Sequence, residues 1–423
     1  MKIYLDSIGC RLNQAEIERY ARQFRAAGHI LVASPEQADL AVVNTCTVTG
    51  EAASDSRGKI RQLARAGVEQ IIATGCWASL NPEQAAGLPG VRHVIPNQAK
   101  DHLVNDLLNL PDEAFDLEPV ERQPVPGARL RTRAFIKAQD GCDNFCTFCI
   151  TTLARGAGRS RSMAEILADI RLVGEAQEVV LTGVHLGSWG QDLSPVRHLS
   201  HLVQAILDET DVPRLRLSSL EPWDLDEDFF SLWQNPRLCR HLHLPLQSGS
   251  ASVLRRMARK TDPEHYAALV DSARSAIPDV AVTTDIIAGF PGESETEFAE
   301  SLAFVQAMDF ADGHVFTYSA RPGTAAARLP GQVPYELRKK RNARMREHFE
   351  QARRQYQARF VGQVLPVLWE SATALGPEGW EMSGLTGNYL RVNARASHHL
   401  WNRITPVSLL GLAENGLYGQ IQP

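Results

Sequence analysis

The chain has 423 residues, 44% of them hydrophobic and 22% charged, with a formal net charge of −5. Those proportions exclude a disordered chain, and the length allows two or three domains with full cores. No apolar run reaches transmembrane length, so no membrane partner is expected. The seven cysteines are an odd, sparse set, and the N-terminus "MKIYLDSIGC" opens on a strand pattern without a charged region and apolar stretch before it. These features lead us to expect a cytoplasmic protein whose thiols serve metal binding or catalysis and not disulfides.

Residues 1–108 alternate short apolar runs with helical patterns. "KIYLDSIGC", "DLAVVNTC" and "EQIIATGC" read as strands; "NQAEIERYARQFRAAG" and "EAASDSRGKIRQLARAG" read as amphipathic helices between them. That rhythm predicts a Rossmann-like parallel sheet. Cys10, Cys46 and Cys76 each fall just past one of the three strands. Ligands of open α/β sheets bind at the carboxyl ends of strands, so three cysteines distant in sequence can converge on one edge. The alternative for each is a small apolar residue packed under a loop.

Residues 109–128 hold four prolines and five acids, a linker composition. From 129 to 334 the alternation resumes, with strands at "AFIKAQ", "EVVLTG", "RLRLSS", "HLHLPL", "VAVTTDIIAGF" and "GHVFTYS" and helical patterns between them. Six β/α units are too few for an eight-fold barrel and predict a partial (β/α)6 barrel. In "GFPGESETEF", Ser294 and Glu297 have the spacing of a capping box. Residues 335–360 carry nine Lys and Arg against three Glu, either a solvated helix face or a polyanion-binding one. Residues 361–423 are strand-rich with Gly and Asn at turns, which predicts a small closed β-barrel. The expected fold class is therefore multidomain α/β.

The stretch "DGCDNFCTFCI" places Cys142, Cys146 and Cys149 in a C-x3-C-x2-C pattern at the end of the first strand of the partial barrel. A zinc site wants a fourth ligand, and no histidine lies between Arg131 and Gly183. Iron–sulfur clusters are held by thiolates, and three protein ligands on a four-iron cluster leave one iron open for a small molecule.

That pattern, with the aromatic Phe148 before the third cysteine, resembles the radical S-adenosylmethionine (SAM) superfamily. "GCRLNQAE", "VVNTCTVT", "GCWAS", "DGCDNFCTFC", "RGAGRSRS", "LSSLEP", "HLHLPLQSGS", "TDIIAGFPGE" and "YSARPGTAAA" resemble its methylthiotransferase branch along essentially the entire chain. "GCRLNQ", "NTCTVT" and "LTGVHLGSWG" point to the threonylcarbamoyladenosine tRNA group. The resemblance implies an auxiliary 4Fe–4S cluster on Cys10, Cys46 and Cys76, and a SAM-binding 4Fe–4S cluster on Cys142, Cys146 and Cys149. It implies that the C-terminal barrel is an OB-like TRAM domain that binds RNA. The implied reaction is methylthiolation of ring carbon 2 of a hypermodified adenosine beside the tRNA anticodon, with SAM as radical source and methyl donor. An electron donor and a sulfur source are implied partners.

Cofactor contacts are expected at Phe148, Gly183, Glu221, Gln247 and Ile287. Structural alternatives stand beside four of them: a strand-to-loop glycine at 183, an acid favoured by a helix dipole at 221, a similar choice at 247, and a core residue at 287. His185 stands where that group usually has Asn, which leaves any polar contact there open. Arg155, Arg159 and Arg161 follow the cluster loop and are expected to face RNA phosphate or the SAM carboxylate. Cys239 is expected to be structural. The competing functions are methylthiolation of isopentenyladenosine tRNA or of a ribosomal-protein side chain, and a non-catalytic iron–sulfur RNA-binding redox sensor.

Overall fold

Strand "LAVV" is apolar at every position, as expected when both faces of a parallel sheet are covered. A computed structural model shows why; it describes residues 1–115, 123, 125–126, 132–376 and 379–422. In it β1 (Lys2–Ser7), β2 (Ile30–Leu31), β3 (Leu40–Thr45), β4 (Ile71–Gly75) and β5 (Val91–Ile95) form one sheet in the order β2-β1-β3-β4-β5. All four pairings are parallel. Leu40 and Val42 of β3 join one apolar cluster with Ile17, Tyr20 and Phe24 of α1 (Arg11–Ala26). Ala41 and Val43 point the other way, onto Ala53, Ile60 and Leu63 of α2 (Gly50–Arg65). The period-two alternation of a strand thus feeds two helical layers. The short helices α3 (Cys76–Leu80), α4 (Pro82–Ala86) and α5 (Leu103–Leu108) complete this part.

Two compact units divide the chain: Met1–Phe145, Cys149–Gly174 and Thr182–Val184 in the first, Cys146–Phe148, Glu175–Leu181 and His185–Pro423 in the second. Most of the expected 109–128 linker lies outside the described residues; at its start Asn109 is left-handed and Asp112–Phe115 form a single helical turn. The first unit continues with β6 (Arg133–Lys137), β7 (Gln139–Asp140), α6 (Thr151–Arg155), β8 (Arg159–Ser160), which pairs antiparallel with β7, and α7 (Met163–Arg171).

In the second unit β9 (Glu178–Thr182, its last residue counted with the first unit), separated by α8 (Leu199–Glu209) from β10 (Arg214–Leu217), pairs with it in parallel. Single parallel bridges Leu215–Leu238 and Ser219–His243 carry the arc past α9 (Glu227–Phe230) to β11 (His241–His243). Beyond α10 (Ala251–Arg256) and α11 (Pro263–Ala276), β11 pairs with β12 (Ala281–Ala288). After α12 (Glu295–Ala307), β12 pairs with β13 (Asp312–Thr317). The expected capping box opens α12: Ser294 accepts from the Glu297 amide while Glu297 accepts from the Ser294 amide.

The basic segment is α13 (Tyr335–Ala358). It buries Met345, Phe349, Ala352 and Tyr356, the spacing of one helix face. Its charge is only partly solvated, because Arg341 is buried against Glu293 (2.8 Å) and bonds Glu295 (3.0 Å). β14 (Val364–Ala374), β15 (Trp380–Thr386), β16 (Arg391–Ala396), β17 (Ile404–Ala413) and β18 (Gly416–Ile421) close a barrel in the order β14-β15-β16-β18-β17. Val367, Trp369, Met382, Val392, Val407 and Leu417 fill it, with Tyr356 and Phe360 packed in. Each such aliphatic side chain contributes about 1.5–3 kcal/mol on burial.

Arg214 and Arg216 of β10 hold this barrel by its main chain. Arg214 donates to the carbonyls of Pro366 (2.7 Å) and Leu385 (3.0 Å), and Arg216 to those of Gly387 (3.1 Å) and Thr386 (3.2 Å). Arg216 also forms a two-bond pair with buried Glu178 at 2.7 and 3.1 Å. Cys239 is buried beside Glu178, as a structural cysteine would be, and burial pushes its thiol up to about 12. His241 is buried and stacks on Tyr389 at 4.4 Å.

Candidate functional site

Three cysteines of the first unit sit where β1, β3 and β4 end. Cys10 is the residue before α1, Cys46 follows β3 directly, and Cys76 opens α3 immediately after β4. The register pairs Ser7 with Asn44 and Thr45 with Gly75, so these three neighbouring strands stop level with one another. The thiols are close enough to act on each other: burial pushes Cys46 up to about 11, and Cys10 and Cys76 push it the same way. Gly9 makes the approach possible, because its φ is +99° and a Cβ there would stand 2.5 Å from the Cys46 sulfur.

A buried ionic network lies under this trio. Arg155, at the end of α6, is 1% exposed. Its Nε donates to the Cys76 sulfur (3.3 Å), one terminal nitrogen to Glu16 (3.2 Å) and Asp140 (2.8 Å), and the other to Asn13 Oδ1 (2.8 Å). Asn13 in turn donates to the carbonyls of Ile8 (2.8 Å) and Thr45 (3.2 Å) and accepts from the Cys10 thiol (3.6 Å). Lys100, fully buried, pairs with Glu16 (2.5 Å) and Asp140 (3.1 Å), and Lys137 pairs with Asp101 (2.6 Å) and Asp140 (3.4 Å). Burial alone would raise the two inner carboxyls. For Asp140, Arg155, Lys100 and Lys137 more than reverse that and hold it well below the usual range; for Glu16 the order is Lys100, Arg155, Lys137, and its carboxyl is lowered. Asn97 adds a donor to Cys76 at 3.7 Å.

The second trio begins where Asp140 ends β7. Gly141 turns the chain at φ +71°, with no room for a Cβ against the Ala157 carbonyl. Backbone amides cradle two of the sulfurs: Asn144 N donates to Cys142 and Thr151 N to Cys149, both at 3.4 Å. In the second unit, Arg259 donates to the Cys146 sulfur (3.7 Å), to Glu221 (2.6 Å) and to the Pro245 carbonyl (2.5 Å), and its guanidinium lies 4.5 Å over Trp223. Among the described residues no three His, Cys, Asp or Glu side chains are drawn close enough to chelate one ion. A cubane binds each thiolate through a different iron, which spaces its ligands more widely than a single ion would.

Phe148 and Ile287, both half-buried, pack on one apolar cluster with Val253, Met257 and Phe290. Gln247 bridges to Ile286 in a left-handed conformation, φ +76°. Gly183 follows the last residue of β9. Glu221 is committed to Arg259. His185 does make a polar contact, at 2.5 Å to Asp224.

The expectation for Arg155 is corrected: the guanidinium is buried and spends four of its five N–H groups on Cys76, Glu16, Asp140 and Asn13, so it does not face an RNA phosphate or a carboxylate from outside. Arg161 likewise pairs with Asp169 at 2.7 Å, while Arg159 keeps 41% of its side chain exposed. Glu16, Asn13, Lys100 and Arg259 are site residues that sequence reasoning missed. The available signal was polar residues, Asn13 and Glu16, on the face of α1 that also carries Leu12, Ile17 and Tyr20.

Residues 2–95 match the uncharacterized protein family UPF0004, and residues 136–305 match the radical SAM superfamily. The threonylcarbamoyladenosine tRNA methylthiotransferase MtaB of Bacillus subtilis is 34% identical over 96% of this chain and 92% of its own. The tRNA-2-methylthio-N(6)-dimethylallyladenosine synthase of Syntrophotalea carbinolica is 31% identical over 99% of each chain. In fold, the chain is similar to the radical SAM methyltransferase TsrM of Kitasatospora setae, with a TM-score of 0.59 at 14% identity, covering 77% of this chain and 75% of that one. With near full-length relatives of this kind and both family matches in place, the chain belongs to the radical SAM methylthiotransferase family.

Proposed function

We propose that this enzyme methylthiolates ring carbon 2 of N6-threonylcarbamoyladenosine beside the anticodon of tRNA. Membership of the family implies a 4Fe–4S cluster and SAM. In our reading Cys142, Cys146 and Cys149 hold that cluster, and Cys10, Cys46 and Cys76 hold an auxiliary one. The donor chemistry supports this: each trio offers three thiols, and one sulfur of each faces an arginine N–H that suits a thiolate. The observation that carries the auxiliary site is the levelling of three strand ends that brings Cys10, Cys46 and Cys76 together.

When bound, these cofactors supply radical abstraction at an aromatic C–H and transfer of sulfur and methyl to that carbon. The chain's own residues bind and orient. Asn144 and Thr151 amides fix two sulfurs of the SAM-cluster loop, and Arg259 ties Cys146 to Glu221. Phe148, Gly183, Gln247 and Ile287 stand as SAM contacts in this proposal. A target base in an anticodon loop is single-stranded and can be splayed into a pocket. A reductant and a sulfur source complete the reaction.

RNA binding falls to the barrel and to the part of α13 not used internally, Lys339, Lys340, Arg346 and Arg354, all exposed. Replacing Lys339 and Arg346 by alanine is expected to weaken tRNA binding equally for all tRNAs. It should flatten the dependence of log K on log salt by about 0.7–0.9 per lost phosphate contact. Binding titrations at several salt concentrations measure this, and an unchanged slope removes the helix from the interface.

The test of the function is mass spectrometry of tRNA nucleosides from cells with and without the gene. Loss of the 2-methylthio form of threonylcarbamoyladenosine supports the proposal. The 31% relative named for dimethylallyladenosine favours the second reading, in which the 2-methylthio form of that nucleoside disappears instead.

A further inference from the structure

We propose that Arg155 is the residue that sets the reduction potential of the auxiliary cluster, as a buried cation aimed at the Cys76 sulfur by Glu16, Asp140 and Asn13. The inference rests on the reading of Cys76 as a cluster ligand. Its own basis is geometry. Arg155 places one Nε–H on Cys76 at 3.3 Å and spends its terminal nitrogens on three oxygens at 3.2, 2.8 and 2.8 Å. A planar guanidinium held at three points has its remaining N–H direction fixed. A lysine could supply the charge and not the direction.

Lys137 pairs with Asp101, and Lys100 and Arg155 pair with Glu16 and Asp140. The more exposed Arg19 and Arg159 also reach Asp101 (3.5 Å) and Asp140 (4.0 Å). The carboxylates of this network are thus fully answered by cations, and Arg155 is its cation in contact with a sulfur of the trio. Its charge acts in a buried site, where screening by water and salt is weak. Taking up one electron makes a cluster more negative by one charge, with no bond made or broken. An adjacent cation and an N–H···S bond both favour the reduced form and raise the potential. Asp140 also accepts the Gly141 amide at 2.8 Å, one residue before Cys142. The same arginine thereby braces the start of the SAM-cluster loop.

The experiment uses the full chain in which Cys142, Cys146 and Cys149 are all alanine, reconstituted anaerobically so that one cubane's worth of iron loads. Dithionite titration with mediators, followed by electron paramagnetic resonance, reads its potential. Arg155→Gln is expected to lower the midpoint by at least tenfold in the oxidised-to-reduced ratio, which is 59 mV for a one-electron couple. Arg155→Lys is expected to recover part of that. Glu16→Gln, which removes a negative charge and leaves Arg155 in place, is expected to raise the midpoint and carries the test if Arg155→Gln does not fold. A purely structural role moves stability and leaves the potential alone. Loaded variants with an unchanged midpoint overturn the inference. Full iron loading after the further change Cys76→Ala instead overturns the ligand assignment beneath it.

Discussion

Replacing Cys142 with alanine is expected to abolish reductive cleavage of SAM, while replacing Cys46 leaves cleavage intact and stops methylthiolation. The two cysteines belong to separate trios, Cys46 at the end of β3 and Cys142 after β7. A cluster that must leave one iron open for the substrate cannot lose a second protein ligand and keep its geometry. Deoxyadenosine release, measured by chromatography after anaerobic reconstitution, separates the effects. Iron content should fall by half in either variant. Persistent cleavage in the Cys142 variant would defeat the assignment, and so would loss of cleavage in the Cys46 variant, because the trios would then not be independent.

The second large effect concerns stability. Arg216→Met is expected to destabilise the second unit by about 3–5 kcal/mol, because it leaves Glu178, fully buried, as an uncompensated charge. It also frees the carbonyls of Thr386 and Gly387. The double variant Arg216→Met with Glu178→Met is expected to regain most of the loss, since an apolar pair in place of a buried ion pair is near neutral. Denaturant unfolding followed by tryptophan fluorescence measures both; Trp369 is fully buried in the barrel. A single-variant loss no larger than that of an exposed substitution would show that the pair is not what holds the carboxylate.

The sheet, the arc and the barrel were legible because their strands are apolar runs bounded by turn residues, and the helices between them carry one apolar face. β2 was not, since two residues give no period, and neither was β5, whose Arg92 and His93 break the apolar run. The cysteines were legible from their place after each strand. The fate of Arg155 was not: Glu16 and Asn13 lie 139 and 142 residues away, and no local pattern couples them. The basic helix misled in the same way. Its charge count reads as a single solvated face, yet Arg341 finds Glu293 across 48 residues and is buried. Local composition reports what a segment can do in water. It does not report which charges the fold will bring to meet it.

β10 grips the C-terminal barrel through four main-chain oxygens, those of Pro366, Leu385, Thr386 and Gly387. Peptide oxygens are present whatever side chain follows them. Mutational drift along the outward faces of the barrel can therefore reshape its surface while its mooring stays intact, so long as the strands keep their path.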